Sequence, residues 1–303
     1  MANQLNRRSK GDFVFDLVNT ILVIVVILIC AYPLYYTLIA SFSDPTEVIS
    51  GRVVLVPLKP TWASYQSVLN YEMVWTGYLN TLFYTTCGLA WNLFLLIPAS
   101  YAMAKRGLKG RNLLMAFFVF TMYFGGGTIP YYLLMKSLDL INNPLVMIIP
   151  GAFSVFNMII TRTFFATSLP DSLSEAARID GAGEFRIFIQ IALPLSGAII
   201  AVMALYHAVG HWNSYFSALL FLNDSKLYPL QLVLRQILIQ NQSLTVDSSS
   251  LSTEQLEDLL QRKRLAETMK YSLIIIANLP ILVAYPFVQK YFVKGVMIGS
   301  IKG

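Results

Sequence analysis

The chain contains two histidines, His207 and His211, four residues apart in an apolar stretch. On a helix that spacing puts two imidazoles on one face, as zinc ligands are arranged. The metalloprotease pattern H-E-x-x-H needs a glutamate at its second position, and Ala208 stands there. There is no G-x-x-x-x-G-K-[ST] loop, so the chain lacks that device for holding ATP. Gly181-Ala182-Gly183 lacks the third glycine and the preceding strand of a dinucleotide site. Cys30 and Cys87 both lie in apolar runs and give neither a disulfide framework nor a zinc pattern. No nucleophile stands beside a base, and no aromatic-basic interleaving of the RNA-binding kind is present. These residues point away from an enzyme, a resident metal or cofactor, and a nucleic-acid partner.

The elements that hold these residues are set by composition. Of 303 residues, 56% are hydrophobic and 13% charged. A soluble globular chain carries about 25% charged residues, so this one cannot coat a water-facing surface. A bilayer core needs about 20 apolar residues per helix. Six runs meet that need: 13–39, 75–104, 113–135, 145–166, 195–222 and 271–292. The first follows Arg7, Arg8 and Lys10 but far exceeds a signal-peptide core of roughly 7–15 residues, so it reads as an uncleaved helix. The expectation is an all-α polytopic membrane protein, one transmembrane domain over residues 1–303.

Short-loop cations give the orientation. Lys105, Arg106, Lys109 and Arg111 follow the second run, and Lys290, Lys294 and Lys302 lie at the C-terminal end, whereas the third-to-fourth loop has only Lys136. Both termini and the 167–194 loop are therefore expected in the cytoplasm, and 223–270 outside. Within that external loop, 227–239 resembles an interfacial or re-entrant helix, 240–253 is polar and Ser-rich, and 254–268 has a leucine face at helical spacing.

Polar groups inside a span are costly against lipid and tend to face a cavity or a neighbouring helix. The fifth run holds His207, His211, Trp212, Asn213 and Tyr215, with His207, His211 and Tyr215 on one helical stripe. Aromatic faces with amide and imidazole donors suit sugar rings, which have apolar faces and hydroxyl edges. These five residues are the candidate translocation path; helix–helix packing is the alternative, and Trp212 also suits an outer interface belt. The three glycines before Thr128-Ile129-Pro130 should break the third run near its outer end.

The 167–194 loop carries the most specific pattern. Ser172 and Glu175 form an S-x-x-E capping box after Pro170, and Gly181 suits the left-handed position that ends a helix. A second short helix is expected from Gly183 toward Ile191, with Pro194 leading into the fifth run. Ala176 and Ala177 keep one face of the first helix slim enough for a groove on another protein. Glu175, Ala176, Ala177, Gly181, Ile191, Leu193 and Pro194 match E-A-A, three residues, G, nine residues, I-x-L-P without departure.

This resembles the EAA loop of membrane subunits of binding-protein-dependent ABC importers. The likeness extends over nearly the whole chain, through Asn80-Thr81 and Trp212-Asn213, and is similar to the smaller membrane subunit of the maltose importer. Gly125-Gly126-Gly127-Thr128-Ile129-Pro130 resembles the G-G-x-I-P signature of YtcP/LplC-type permeases for complex oligosaccharides, with Thr128 where leucine is usual. The resemblance implies that Glu175, Ala176, Ala177, Asp180, Gly181, Gly183, Ile191, Leu193 and Pro194 couple to a separate ATPase. It implies that the tail with Gly299, Lys302 and Gly303 inserts between two ATPase subunits, which hold the ATP and Mg. It further implies a second homologous permease as heterodimer partner, an extracellular sugar-binding lipoprotein, an oligosaccharide substrate and the plasma membrane of a Gram-positive bacterium. The rival is a secondary transporter driven by an ion gradient, which predicts inverted repeats and intramembrane carboxylates. Neither is visible; Asp12 and Asp16 lie only at the start of the first run.

Overall fold

The structure, a computed structural model, describes residues 10–242 and 264–283, with 285, 286 and 289. The expected tail contacts at Gly299, Lys302 and Gly303, and most of the Ser-rich and leucine-faced stretches of 240–268, lie outside the described residues. Every regular element among the described residues is a helix or helical turn, and the chain divides into two compact units.

The first unit is Met1–Asn70 with Leu238–Ile276. Its α1, Lys10–Ser41, has 32 residues. At 1.5 Å per residue it is about 48 Å long, more than a bilayer core requires. None of its most apolar window is buried, so lipid or another subunit must cover it. The short helices α2 (Pro45–Ile49) and α3 (Ala63–Leu69) follow. Asp44 caps α2 by accepting from the Thr46 amide at 2.8 Å. Buried Glu47 is paired with Lys59 at 2.8 Å and Arg52 at 3.2 Å, which offsets its desolvation.

The second unit is Tyr71–Ile237 with Ala277–Gly303. Its axis is α4, Glu72–Ala104, whose buried residues Gly77, Thr81, Tyr84, Gly88 and Asn92 recur at three- and four-residue steps. That spacing makes one stripe, and it packs along later helices of the unit. α5 (Arg111–Tyr123) and α6 (Thr128–Ser137) follow, then a tight turn at Pro144–Met147 and α7 (Val155–Ser168). Next come α8 (Asp171–Ile179), α9 (Glu184–Ile187), a widened turn at Phe188–Ala192, α10 (Leu193–Leu195) and α11 (Gly197–Trp212). α12 (Phe216–Phe221), a turn at Ser225–Leu227, α13 (Leu230–Gln242) and α14 (Arg264–Val283) complete the described chain.

Three described helices are long and apolar enough to span a bilayer, and two bent pairs bring the number to at most five. The differences from the six expected runs have local causes. The third run is α5 and α6, meeting at 108° across the three glycines, with Gly127 at φ 82°; the expected break is present. The fourth does not begin at 145: Pro150 and left-handed Gly151 (φ 71°) delay the helix to Val155. The fifth is not continuous to 222, because α11 stops at Trp212 and the chain turns before α12. The sixth is already helical at Arg264, ahead of 271, so 264–268 belongs to it. α13 is not an interfacial helix over its first half, since Leu230, Leu232 and Val233 are buried. The Thr81 hydroxyl accepts from the Leu230 amide at 2.8 Å, and Asn80 donates to the Lys226 and Tyr228 carbonyls at 2.7 and 3.0 Å. Asn80-Thr81 thus anchors the turn that starts α13.

Candidate functional site

The first candidate site is the 167–194 loop. The capping box does not form: Pro170 occupies the N-cap with its φ at −62°, and Asp171 opens the helix. An acid there suits the positive end of the helix dipole, so Ser172 sits inside the first turn instead. The C-terminal end is as expected. The Gly181 amide donates to the Arg178 carbonyl at 3.0 Å and the Ala182 amide to the Ala177 carbonyl at 2.9 Å. With Gly181 at φ 78° this is a Schellman turn, which few side chains tolerate. Asp180 caps α8, and Gly183 caps α9.

The expected second helix does not run on to Ile191 as α-helix. After Ile187 the turns widen over Phe188–Ala192, a region containing Ile191, because Pro194 supplies no amide for the preceding turn. Leu193 and Pro194 lie in α10, and the chain bends by 79° into α11.

Asp171, Ser174, Glu175 and Arg178, at helical spacing, line a cavity of about 780 Å³ shared with Tyr101 and Lys105 from the end of α4. Glu175 thus faces the cavity beside Arg178. Ala176 is exposed and Ala177 half-buried. Ile179 is 87% exposed and Phe185 79% exposed. These large apolar groups stand open next to several charges. Glu184 accepts from Arg178 Nε at 3.0 Å and pairs with Lys105 at 3.3 Å. The hydrogen bond from Arg178 chiefly, with help from Lys105, holds the Glu184 carboxyl below the usual glutamate range. The spacing of the EAA pattern does not reveal Lys105, Arg106 or Glu184; their charge in the loops of one membrane face is the only signal.

The second candidate site lies where α4, α7 and α11 meet. Asn92 of α4 stands between the two histidines, its amide nitrogen 2.7 Å from His207 Nδ1 and its oxygen 3.2 Å from His211 Nε2. Asn157 of α7 lies 3.2 Å from His207 Nε2. A neutral imidazole has one donor and one acceptor nitrogen, so the two amides cannot both donate to His207. In one consistent arrangement His211 Nε2–H donates to Asn92 Oδ1, Asn92 donates to His207 Nδ1, and the Asn157 amide, whose nitrogen is the atom 3.2 Å from His207 Nε2, is turned over so that its oxygen accepts from Nε2–H. The chain of bonds then has a single direction. Asn92, His207 and His211 line a cavity of about 220 Å³ with Tyr131, Ser214 and Ser217, and no carboxylate lines it. Such a surface presents amide, imidazole and hydroxyl groups that can hydrogen-bond hydroxyls.

Of the five path residues, His207 and His211 are brought together. Trp212 is elsewhere: it is buried, its indole N–H donates to the Ala277 carbonyl at 2.9 Å, and its ring meets Tyr78 edge-on. It is therefore not at an outer interface. Asn213 is the exposed C-cap of α11. Tyr215 starts α12 and leaves the histidine stripe, because the helix ends before it. Asn92 and Asn157 were missed by sequence reasoning; a polar residue in the middle of an apolar run was the available signal. Gly88 was also missed.

Residues 96–298 match the family described as binding-protein-dependent transport system inner membrane component. The chain is 37% identical over 289 residues to the polygalacturonan/rhamnogalacturonan transport system permease protein YtcP of Bacillus subtilis (strain 168), covering 95% of this chain and 98% of that one. It is 39% identical to protein LplC of the same organism, covering 97% of each. Among solved structures it is similar to a bacterial ABC transporter involved in the import of the acidic polysaccharide alginate, with TM-score 0.84, 34% identity, and coverage of 95% of this chain and 99% of that one.

Proposed function

This chain belongs to the family of binding-protein-dependent transport system inner membrane components, and from that membership we propose how its two sites divide the work. It is a membrane permease subunit of an ABC sugar importer, not an enzyme and not a carrier driven by an ion gradient. In our reading it is a single permease domain of six spans with both termini cytoplasmic. It pairs with a second homologous permease, two ATPase subunits that hold ATP and Mg, and an extracellular sugar-binding lipoprotein. The cell is Gram-positive, as in the Bacillus relatives.

The α8 loop meets the ATPase. Its exposed Ile179 and Phe185 fill a groove there, and the Gly181 turn sets the angle of the helix. ATPase closure displaces the loop and rocks the helices that enclose the histidine cavity. The C-terminal tail adds a second contact with the ATPases.

The substrate we propose is an acidic oligosaccharide, a short oligouronide. The carrying observation is the cavity of Asn92, His207 and His211, which offers imidazole and amide groups and no carboxylate to repel an anion. One similar protein is described as a polygalacturonan/rhamnogalacturonan transport system permease and another as involved in the import of the acidic polysaccharide alginate. The test is purification of the tagged chain from its native membrane in mild detergent with its partners, then reconstitution. Uptake of short oligogalacturonides driven by ATP, with little uptake of neutral maltooligosaccharides, is expected. Equal uptake of both would remove the acidic preference. Recovery of the chain alone, moving solute without ATP, would overturn the assignment of partners.

A further inference from the structure

Glu184 stands at the only turn of the loop that touches both α8 and the end of α4 through charged groups among the described residues. It follows Gly181 closely, and the Schellman turn folds it back onto Arg178 in the last turn of α8, where it accepts from Nε at 3.0 Å and from the second guanidinium nitrogen. Its other oxygen lies 3.3 Å from Lys105 Nζ, just past the end of α4. Lys105 is not a free rotor: its ammonium lies 4.5 Å from the centre of the Tyr101 ring, which is buried against Phe165 and Phe188. The end of α4 is further held by Arg162 of α7, which donates to the Met103 carbonyl at 3.0 Å. A cation at a helix C-terminus is favourable and takes up a carbonyl that has no partner in its own helix.

The second link between loop and α4 is weaker. Arg106 and Asp171 are 3.8 Å apart, with side chains 86% and 71% exposed. An ion pair that open to water is worth little and fixes no geometry. The Glu184 cluster joins one carboxylate to two cations from different elements, so it does fix one.

α4 stays helical from Asn92 to Ala104, with Pro98 inside this stretch. At 1.5 Å per residue this places Asn92 about 18 Å along the same helix from its end beside the Glu184 joint. Asn92 is the residue that holds both histidines. A displacement of α8 therefore has a direct mechanical route to the cavity, entering α4 at Lys105 and reaching His207 and His211 through Asn92.

We infer that Glu184 is a positioning residue that fastens the coupling loop to α4, and that α4 carries the motion of the loop to the Asn92–His207–His211 chain. The inference rests on the transport reading above and adds the joint and the lever to it.

The test uses the whole reconstituted complex with its binding protein and short oligogalacturonides, and reads uptake per ATP hydrolysed. Glu184→Arg places a third cation between Arg178 and Lys105 and is expected to lower that ratio about five- to tenfold, the low end of coupling between distant sites. Lys105→Glu alone is expected to do the same. The exchange Lys105→Glu/Glu184→Arg re-forms the pair between loop and α4 with reversed sign and is expected to restore part of the ratio. A merely structural role for either residue would not show that rescue. A wild-type ratio in Glu184→Arg, or an exchange variant no better than the single ones, overturns the inference. Should Glu184→Arg fail to assemble, Lys105→Glu and the exchange variant decide the matter by the same comparison. If the wild-type complex itself takes up nothing with ATP, the transport reading fails first and the inference falls with it.

Discussion

A Cβ placed on Gly88 would lie 2.4 Å from two atoms of the His211 ring, so the imidazole occupies the space that any other residue at 88 would need. The close approach puts His211 within reach of Asn92, one turn further along the same face of α4. Elsewhere on that stripe Gly77 allows α13 to approach: a Cβ there would be 3.1 Å from the Leu230 backbone.

Gly88→Ala therefore has two opposing effects. Alanine favours a helix interior over glycine by about 0.5–1 kcal/mol. Overpacking against the held ring costs about 1–3 kcal/mol, so the net sign is destabilising. The expected outcome is a lower thermal midpoint of the purified chain in detergent, together with reduced uptake as His211 is pushed off Asn92. A higher midpoint with full uptake would mean that the ring moves freely and is not fixed by α4.

Asn92→Leu keeps the volume and removes both hydrogen-bonding arms. His207 Nδ1 and His211 Nε2 then lose their partner in a buried setting, at about 1–3 kcal/mol. The same change at exposed Asn213 should stay within about 0.5 kcal/mol. Thermal unfolding of the two variants side by side checks this. Equal midpoints would show that the histidines re-pair without Asn92.

Acid should loosen the Glu184 joint only below the ordinary range of a glutamate, about 4.3. Its carboxyl is held below that range by the Arg178 hydrogen bond first and by Lys105 after it. A group with a lowered folded value adds its stability above the unfolded value and loses it as pH falls through the folded one. The pair is therefore intact at neutral and mildly acid pH. Glu184 is about half exposed, so the effect on overall stability is small. Carboxyl carbon NMR of glutamate-labelled chain reads the titration directly, and Arg178→Gln should move the Glu184 midpoint upward. An unchanged midpoint in that variant would remove Arg178 as the main cause.

Much of this was legible in the chain. Low charge and long apolar runs impose helices, because a backbone in lipid must satisfy its own hydrogen bonds. The Gly181 turn followed from a glycine at the end of a short amphipathic stretch, and the break at Gly125–Gly127 from three residues without a Cβ. Other features were not legible. The S-x-x-E capping box at Ser172 lost to Pro170, whose fixed φ starts the helix two residues earlier. Tyr215 left the histidine stripe because the turn after Trp212 carries no strong breaker to announce it. Trp212 read as a path residue that also suits an interface belt, yet its N–H is taken by a backbone carbonyl 65 residues away.

By itself, then, the sequence determined the class of solvent, the helical elements, the family and the loop proposed to meet the ATPase. All of these depend on local composition and short spacing. Only the tertiary structure decided that Asn92 stands between His207 and His211, residues 115 and 119 positions away, and that Lys105 meets Glu184. Periodicity says which stripe of a helix is buried. Which stripe it meets depends on packing geometry, and on a glycine where a ring has to pass.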